Sequence, residues 1–379
     1  MSSARNSDRN MEPLLGGDGA GGKRRVVGLM SGTAADGVDA ALVETDGEAA
    51  IRLLATASRP YAAAERALLR TAARAALALD RPRPDPLVAE AERLLTQAHA
   101  EAVRALPGWE EAELVGFHGA TVAHRPDRGF TWQIGDARWL ARELGRPVVH
   151  DFRSADVAAG GEGAPLAPGF HRALAAGLAR PLGILNVGGV ANLTWLADGA
   201  WGAFDTGPGN ALLDDWVREH GAGSCDRDGT ISAAGRVRED VLTAMLDNPW
   251  FDRMGPRSLD RDDFTLQPVR GLPLADGAAT LVAFTAEAVA LALAGLPVRL
   301  GRLLVTGGGR CNPTLMRALA RHTGLAVEPI EAIGADGDSL EAQAFAWLAV
   351  RVVRGLPTSW PETTGVRWPV CGGRVALPD

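Results

Sequence analysis

Four glycine-rich turns hold the residues best suited to chemistry: 31–37 (Ser31-Gly32-Thr33-Ala34-Ala35-Asp36-Gly37), 188–192, 205–210 and 307–309. Each follows an apolar, strand-like run. Glycine lets backbone N–H groups approach an anion with no Cβ in the way, so such turns form nests for phosphate oxygens. One such turn is commonplace. Four of them, spread over both halves of the chain and joined to acids and hydroxyls, suggest a nucleotide gripped from both sides in an interdomain cleft. Ser31 and Thr33 offer hydroxyls to phosphate oxygens. Asp36, with Asp39 beyond it, offers a carboxylate to Mg²⁺-bound waters, because magnesium keeps several waters and takes few direct carboxylates. Asp205 closes an apolar run and opens a turn, a rigid support from which its carboxylate projects into the cleft as a candidate catalytic base. The competing reading for Asp205 is an Asx-turn acceptor closing the Gly-Pro turn, and for Ser31, Thr33, Asp36 and Asp39 it is ordinary turn chemistry.

Composition removes several other chemistries. Lys23 is the only lysine in 379 residues, so neither a protein-kinase lysine nor a pyridoxal-phosphate lysine is available. Gly17 to Lys23 fits GxxxxGK, but Arg24 stands where Ser or Thr is needed and a strand-like run follows rather than precedes it, so the segment reads as a glycine-rich leader. Three widely spaced cysteines, Cys225, Cys311 and Cys371, form no CxxC pair and fit a reducing, cytoplasmic setting. A net charge of −7 leaves no basic footprint for nucleic acid. The longest apolar stretch, 278–300, is broken by Thr285, Glu287 and Pro297 and reads as an Ala-rich core helix, with no membrane span expected. His124, His150 and the other histidines lack metal-ligand spacing.

The elements that must position these turns alternate. Val26–Met30 and Val38–Val43 read as a strand hairpin around the first turn. Ala62 to Leu106 reads as two helices broken by the prolines of 82–86, and short strands follow at 114–117, 131–134 and 147–150. The theme repeats with strands at 182–187, 193–196 and 201–204, helices, a strand at 302–306, a helix opened by Asn312-Pro313, and a last helix from Ser339 to Arg354. Two strand–turn–strand units, each followed by helices, give two similar α/β halves. The expected division is a flexible leader 1–24, an N-terminal α/β domain 25–180, a C-terminal α/β domain 181–354 and an irregular tail 355–379.

The motifs then resemble one family as a set. They are Gly28-Leu29-Met30-Ser31-Gly32-Thr33 with Asp36-Gly37-Val38-Asp39; His118-Gly119-Ala120-Thr121; Gln133-Ile134-Gly135-Asp136; Asp151-Phe152-Arg153 with Asp156 to Leu166; Leu185-Asn186-Val187-Gly188-Gly189-Val190-Ala191-Asn192; Phe204-Asp205-Thr206-Gly207-Pro208-Gly209-Asn210; Gly307-Gly308-Gly309 with Asn312-Pro313; and Gly337-Asp338 with Glu341. In this order, over about residues 26 to 350, the sequence resembles the anhydro-N-acetylmuramic acid kinase family of the sugar kinase/Hsp70/actin superfamily. The resemblance implies two ribonuclease H-like (actin-like ATPase) domains with an interdomain nucleotide cleft, and ATP and Mg²⁺ as cofactors. It implies that Asp205 activates a water attacking the anomeric carbon of a 1,6-anhydro sugar while the freed O6 takes the γ-phosphoryl group. The turn 31–39 with Gly188, Gly189, Asn192, Thr206, Gly207, Gly307, Gly308, Gly309 and Asn312 would bind the nucleotide.

On the sugar side the resemblance implies His118, Thr121, Asp151, Arg153 and Glu341. Arg153 suits the carboxylate of a lactyl group, bound bidentately, and the alternative is an ion pair with Asp151 or Asp156. His118 and Thr121 suit substrate contact and core hydrogen bonding equally. Asp338 with Glu341 also fits a helix capping box. The chain departs from the family pattern at Ala34-Ala35, Ala120 and Glu162, where Ser-Leu, Gln and Gln are usual. The expected partners are therefore ATP and a small anhydrosugar, with no nucleic acid, no membrane and room for a homodimer. The competing functions are a kinase of another, levoglucosan-like 1,6-anhydrosugar and a nucleotide-binding regulator without catalysis.

Overall fold

A computed structural model of the chain describes residues 22–32, 35–252, 259 and 263–378. The chain divides into two compact units, Met1–Gly177 with Ser339–Asp379, and Leu178–Asp338.

The first unit is built on strands β1 (Arg24–Met30), β2 (Gly37–Thr45), β3 (Ile51–Pro60), β4 (Leu114–Phe117), β5 (Ala120–Arg125), β6 (Phe130–Ile134) and β7 (Val148–His150). Its main sheet runs β3-β2-β1-β4-β7, and the C-terminal strand Arg374–Ala376 adds antiparallel to β7. β1, β2 and β3 are antiparallel neighbours, whereas β4 and β7 continue parallel to β1. β5 and β6 form a separate hairpin. Residues 26–29 of β1 are buried, as expected of a central strand covered on both faces. On one face Val27 and Leu29 pack on the Ala/Leu-rich helices Ala63–Leu77 and Pro86–Ala105. The second of these starts where the proline cluster predicts, with Asp85 capping Leu87 N and Val88 N at 2.9 and 3.1 Å.

The other face takes the helix Leu340–Val353. It is apolar nearly all round and buried accordingly. It lies so close that a Cβ on Gly28 would sit 1.8 Å from the Ala342 carbonyl oxygen, and one on Gly116 2.2 Å from that of Phe345. Trp347 Nε1 and Arg351 Nη1 tie the helix to the β2–β3 turn through the carbonyls of Glu48 and Gly47. The expected boundaries are corrected here: this helix belongs to the first unit because β1 and β4 need an apolar cover. The tail is not wholly irregular either, since it contains the short helix Pro361–Thr364 and the strand that pairs with β7.

The second unit holds β8 (Leu182–Val187), β9 (Val190–Ala197), β10 (Ala200–Pro208), β11 (Arg302–Thr306) and β12 (Ala326–Pro329), in the order β10-β9-β8-β11-β12. Directions repeat those of the first unit: an antiparallel meander of three, then two strands parallel to its first. Each unit is thus an α/β layer structure with the strand order and directions expected of a ribonuclease H-like domain. Among the described residues, one helix is long and apolar enough to cross a membrane, Leu274–Ala294. It is the central core helix of this unit, with 72% of its apolar window buried.

Candidate active site

Three of the four glycine turns meet within the second unit. The β8–β9 turn presents the Gly188 and Gly189 carbonyls, which accept from Asn210 N at 2.7 Å and Gly209 N at 3.0 Å. Asn210 Nδ2 donates to the Val187 carbonyl at 3.0 Å. The turn after β11 closes on the same point. Gly307 has φ +74°, and a Cβ there would lie 2.3 Å from Asn186 Oδ1, so only glycine fits. Beside it, a Cβ on Gly308 would find nothing nearer than Asn210 Nδ2, 3.6 Å away. That open space over backbone N–H groups is what a phosphate or ribose requires.

Asp205 lies in the register next to this cluster. Asn186, Asn192 and Asp205 are successive cross-strand partners on β8, β9 and β10, and so share one face of the sheet. Asp205 does not open a turn: β10 continues to Pro208, with a bulge between Asp205 and Gly207. A bulge bends the strand locally and re-aims its side chains. The Asp205 carboxylate is half-buried and accepts from Leu259 N at 2.7 Å, a long-range bond.

Two other expected nucleotide contacts point elsewhere. Thr206 is fully buried and donates its hydroxyl to the Ala191 carbonyl at 3.1 Å. Gly207 faces the core helix, where a Cβ would be 2.9 Å from Ala288 Cβ. Both belong to the packing beneath the bulge. Gly309 is likewise buried, against Val187. Asn312 caps the helix Pro313–Thr323, accepting from Thr314 N and Leu315 N at 3.0 Å. Arg310 secures the turn, donating to the Gly307 carbonyl at 3.1 Å and bonding Glu331 and Asp338 at 2.7 and 2.6 Å. The capping box is thereby corrected: Asp338 is held by Arg310, and Ser339, not Asp338, precedes the helix.

In the first unit the β1–β2 turn is held from beneath by Tyr61, the only tyrosine of the chain. Its hydroxyl lies 3.0 Å from Ser31 Oγ, and its N–H bonds the Asp36 carbonyl at 2.9 Å. Ala35 adopts φ +51° and bonds back to the Gly32 carbonyl, while the Asp36 side chain is exposed. Gly37, Val38 and Asp39 open β2, with Asp39 opposite Met30. Thr33 and Ala34 lie outside the described residues, as does the leader to residue 21.

Of the sugar-side candidates, His118, Asp151 and Arg153 follow β4 and β7, Glu341 opens the helix Leu340–Val353, and Thr121 lies on β5 of the separate hairpin. Arg153 donates from Nε to His118 Nε2 at 2.9 Å and from Nη1 to the Gly163 carbonyl at 2.7 Å. His118 Nδ1 bonds the Gly119 carbonyl at 2.9 Å, so its ring is a neutral Nδ1–H tautomer that orients the guanidinium. Burial first, and then the Arg153 charge, hold the His118 pKa well below its ordinary value. Burial lowers Arg153 to about 10 against the opposing pull of Glu341 and Asp156, which leaves it charged at neutral pH. The alternative Asp151–Arg153 ion pair is not what Asp151 makes: at φ +56°, it meets Arg374 Nε at 3.1 Å. Thr121 accepts from Gln133 Nε2 at 3.1 Å, and Glu341 is exposed. His124 and His150 are half-buried, and no cluster of three metal-ligating side chains occurs among the described residues.

Asn186, Tyr61 and Arg310 were not singled out by the sequence. Asn186 carried a signal, a polar residue near the end of an otherwise apolar strand; so did Tyr61, as a unique residue type. Arg310 carried none beyond its place after the glycines.

Comparison with known proteins adds an independent line. The family model described as anhydro-N-acetylmuramic acid kinase matches residues 24–377. A Rhizorhabdus wittichii protein named anhydro-N-acetylmuramic acid kinase is 57% identical over 358 residues, covering 93% of this chain and 98% of its own. One of the same name from Acidiphilium cryptum is 55% identical with the same coverage. Among solved structures, a ROK family glucokinase from Streptomyces griseus in complex with glucose and AMPPNP aligns over 86% of this chain and 99% of its own. That alignment has 16% identity and a TM-score of 0.40.

Proposed function

Because the chain belongs to the anhydro-N-acetylmuramic acid kinase family, we propose that it opens 1,6-anhydro-N-acetylmuramic acid with water and phosphorylates the released oxygen. The products are N-acetylmuramic acid 6-phosphate and ADP, in peptidoglycan recycling. The observation that carries this reading is the identity above one half over nearly the whole of both chains. A kinase of another 1,6-anhydrosugar and a silent nucleotide-binding regulator are not favoured. The three cysteines are free and exposed, which suits a reducing cytoplasm.

Asp205 is the general base. It orients a water and takes its proton as the water oxygen bonds the anomeric carbon; the C1–O6 bond breaks and O6 receives the γ-phosphoryl group. Its support is a bulged edge strand, with the Leu259 N–H fixing the carboxylate and Asn192 beside it. Gly188, Gly189, Gly307 and Gly308 cradle the nucleotide, and Ser31 and Gly32 supply a second phosphate turn in which a Cβ on Gly32 would meet nothing within 4 Å. Bound with ATP, Mg²⁺ would neutralise the β- and γ-phosphate oxygens, its waters held by Asp36. Arg153 takes the lactyl carboxylate, with Thr121 and Glu341 as further sugar-side groups. In a chain with a single lysine, backbone N–H groups carry the phosphate binding.

Asp205→Asn tests the assignment. General-base loss removes about 10²–10⁴ in kcat, whereas ATP affinity, measured by direct titration, stays within about twofold. Near-wild-type turnover in the variant would remove Asp205 from the reaction.

A further inference from the structure

Behind Arg153 lies a chain of buried polar contacts that reaches into the C-terminal tail. Asp156 is fully buried. Its Oδ1 accepts from Gly163 N at 2.7 Å and its Oδ2 accepts from the Thr364 hydroxyl at 2.6 Å. Thr364, also fully buried, closes a second bond to the same loop, its carbonyl accepting from Glu162 N at 2.8 Å. The loop has no slack there: a Cβ on Gly161 would sit 2.3 Å from Asp156 Oδ1. The Gly163 carbonyl, fixed in this way, is one of the two acceptors that hold the Arg153 guanidinium; the other is His118. Arg153 Nη2 makes no hydrogen bond among the described residues.

A buried carboxylate without partners is costly, so each acceptor bond it makes is strongly retained. Removing the Thr364 hydroxyl takes away one of those bonds and loosens the Asp156–Gly163 contact. Arg153 loses an anchor by the same step. The fork geometry of a guanidinium binds a carboxylate well only when the fork is preset.

We propose that Thr364 is a specificity-determining positioning residue: through Asp156 and Gly163 it presets Arg153 for the carboxylate of the substrate's lactyl group. The inference rests on the reading of Arg153 given above. It makes the tail, which the sequence offered only as an irregular extension, part of the apparatus that selects an acidic sugar.

The test compares direct binding of two sugars to the full-length protein: 1,6-anhydro-N-acetylmuramic acid, and 1,6-anhydro-N-acetylglucosamine, which lacks the lactyl group. Thr364→Val keeps shape and loses the hydroxyl; Thr364→Ser restores it. In Thr364→Val the affinity for the acidic sugar falls about tenfold, the scale of a hydrogen bond to a charged group, while affinity for the neutral sugar holds within about twofold. Thr364→Ser regains the wild-type ratio, and Arg153→Gln collapses it. An equal fall for both sugars in Thr364→Val, or no change in their ratio, would overturn the positioning role while leaving Arg153 in place. An unchanged ratio in Arg153→Gln would overturn the reading of Arg153 itself, and the inference with it.

Discussion

His118 and Arg153 show how burial sets chemistry one residue at a time. Because His118 gives Nδ1–H to Gly119 and receives Arg153 at Nε2, a proton on Nε2 would confront the guanidinium at 2.9 Å. The same rule acts on two further histidines. His99 and His171 are buried, and desolvation lowers both to about 4 from 6.5. Unfolded imidazoles protonate first as the pH falls, so the contribution of these residues to stability is complete above about pH 6.5 and is lost on the way to pH 4. At pH 5 each costs about 2 kcal/mol. His99, whose Nε2 has no partner among the described residues, is the cleaner probe. Denaturation of His99→Leu at pH 7.5 and pH 5 should show a shallower acid-side loss than the parent chain, and parallel profiles would refute the assignment. At this scale the sequence was partly legible. Asp205, Arg153 and the glycines stand out by type and neighbours. The roles of Thr206 and Gly207 do not, because a bulge at 206 turns both into the interior and no local pattern announces a bulge.

Elements are placed here by close approach as much as by pattern. The hairpin β1–β2, the strands β4, β8 and β11 and the long helices were readable from apolar runs between glycines and prolines. β3 was not: Ile51-Arg52-Leu53-Leu54-Ala55-Thr56-Ala57-Ser58-Arg59-Pro60 mixes weak strand formers and is an edge strand, extended because β2 offers it a partner. The membership of the helix Leu340–Val353 was also hidden, since the residues that receive it, Gly28 and Gly116, are remote in sequence. Those glycines define a prediction. Gly28→Ala forces a methyl group against the helix backbone and should cost about 3 kcal/mol, the upper range for overpacking a core. Chemical denaturation measures it, and a loss below about 0.5 kcal/mol would show that the helix can shift away freely.

Across the molecule, the same strand order and directions occur twice, and turns at matching places carry the candidate chemistry. The turn between the first two strands is Ser31–Asp36 in one unit and Gly188-Gly189 in the other, and the turn after the fourth strand begins at His118 in one and Gly307 in the other. The candidates differ between the units: His118, Arg153 and the tail behind them, with the Ser31–Gly32 turn, lie in the first, and Gly188, Gly189, Gly307 and Gly308 with Asp205 lie in the second. The reaction proposed for the chain is unusual for a kinase in consuming a water, and that water is the most direct handle on it. Incubation with ATP, Mg²⁺ and 1,6-anhydro-N-acetylmuramic acid in ¹⁸O-labelled water, quenched before anomeric exchange, should yield ADP and N-acetylmuramic acid 6-phosphate. One labelled oxygen should sit on the anomeric carbon, read by mass. A phosphorylated sugar with its anhydro ring intact, an opened product without the label, or ADP release indifferent to the sugar would contradict the account.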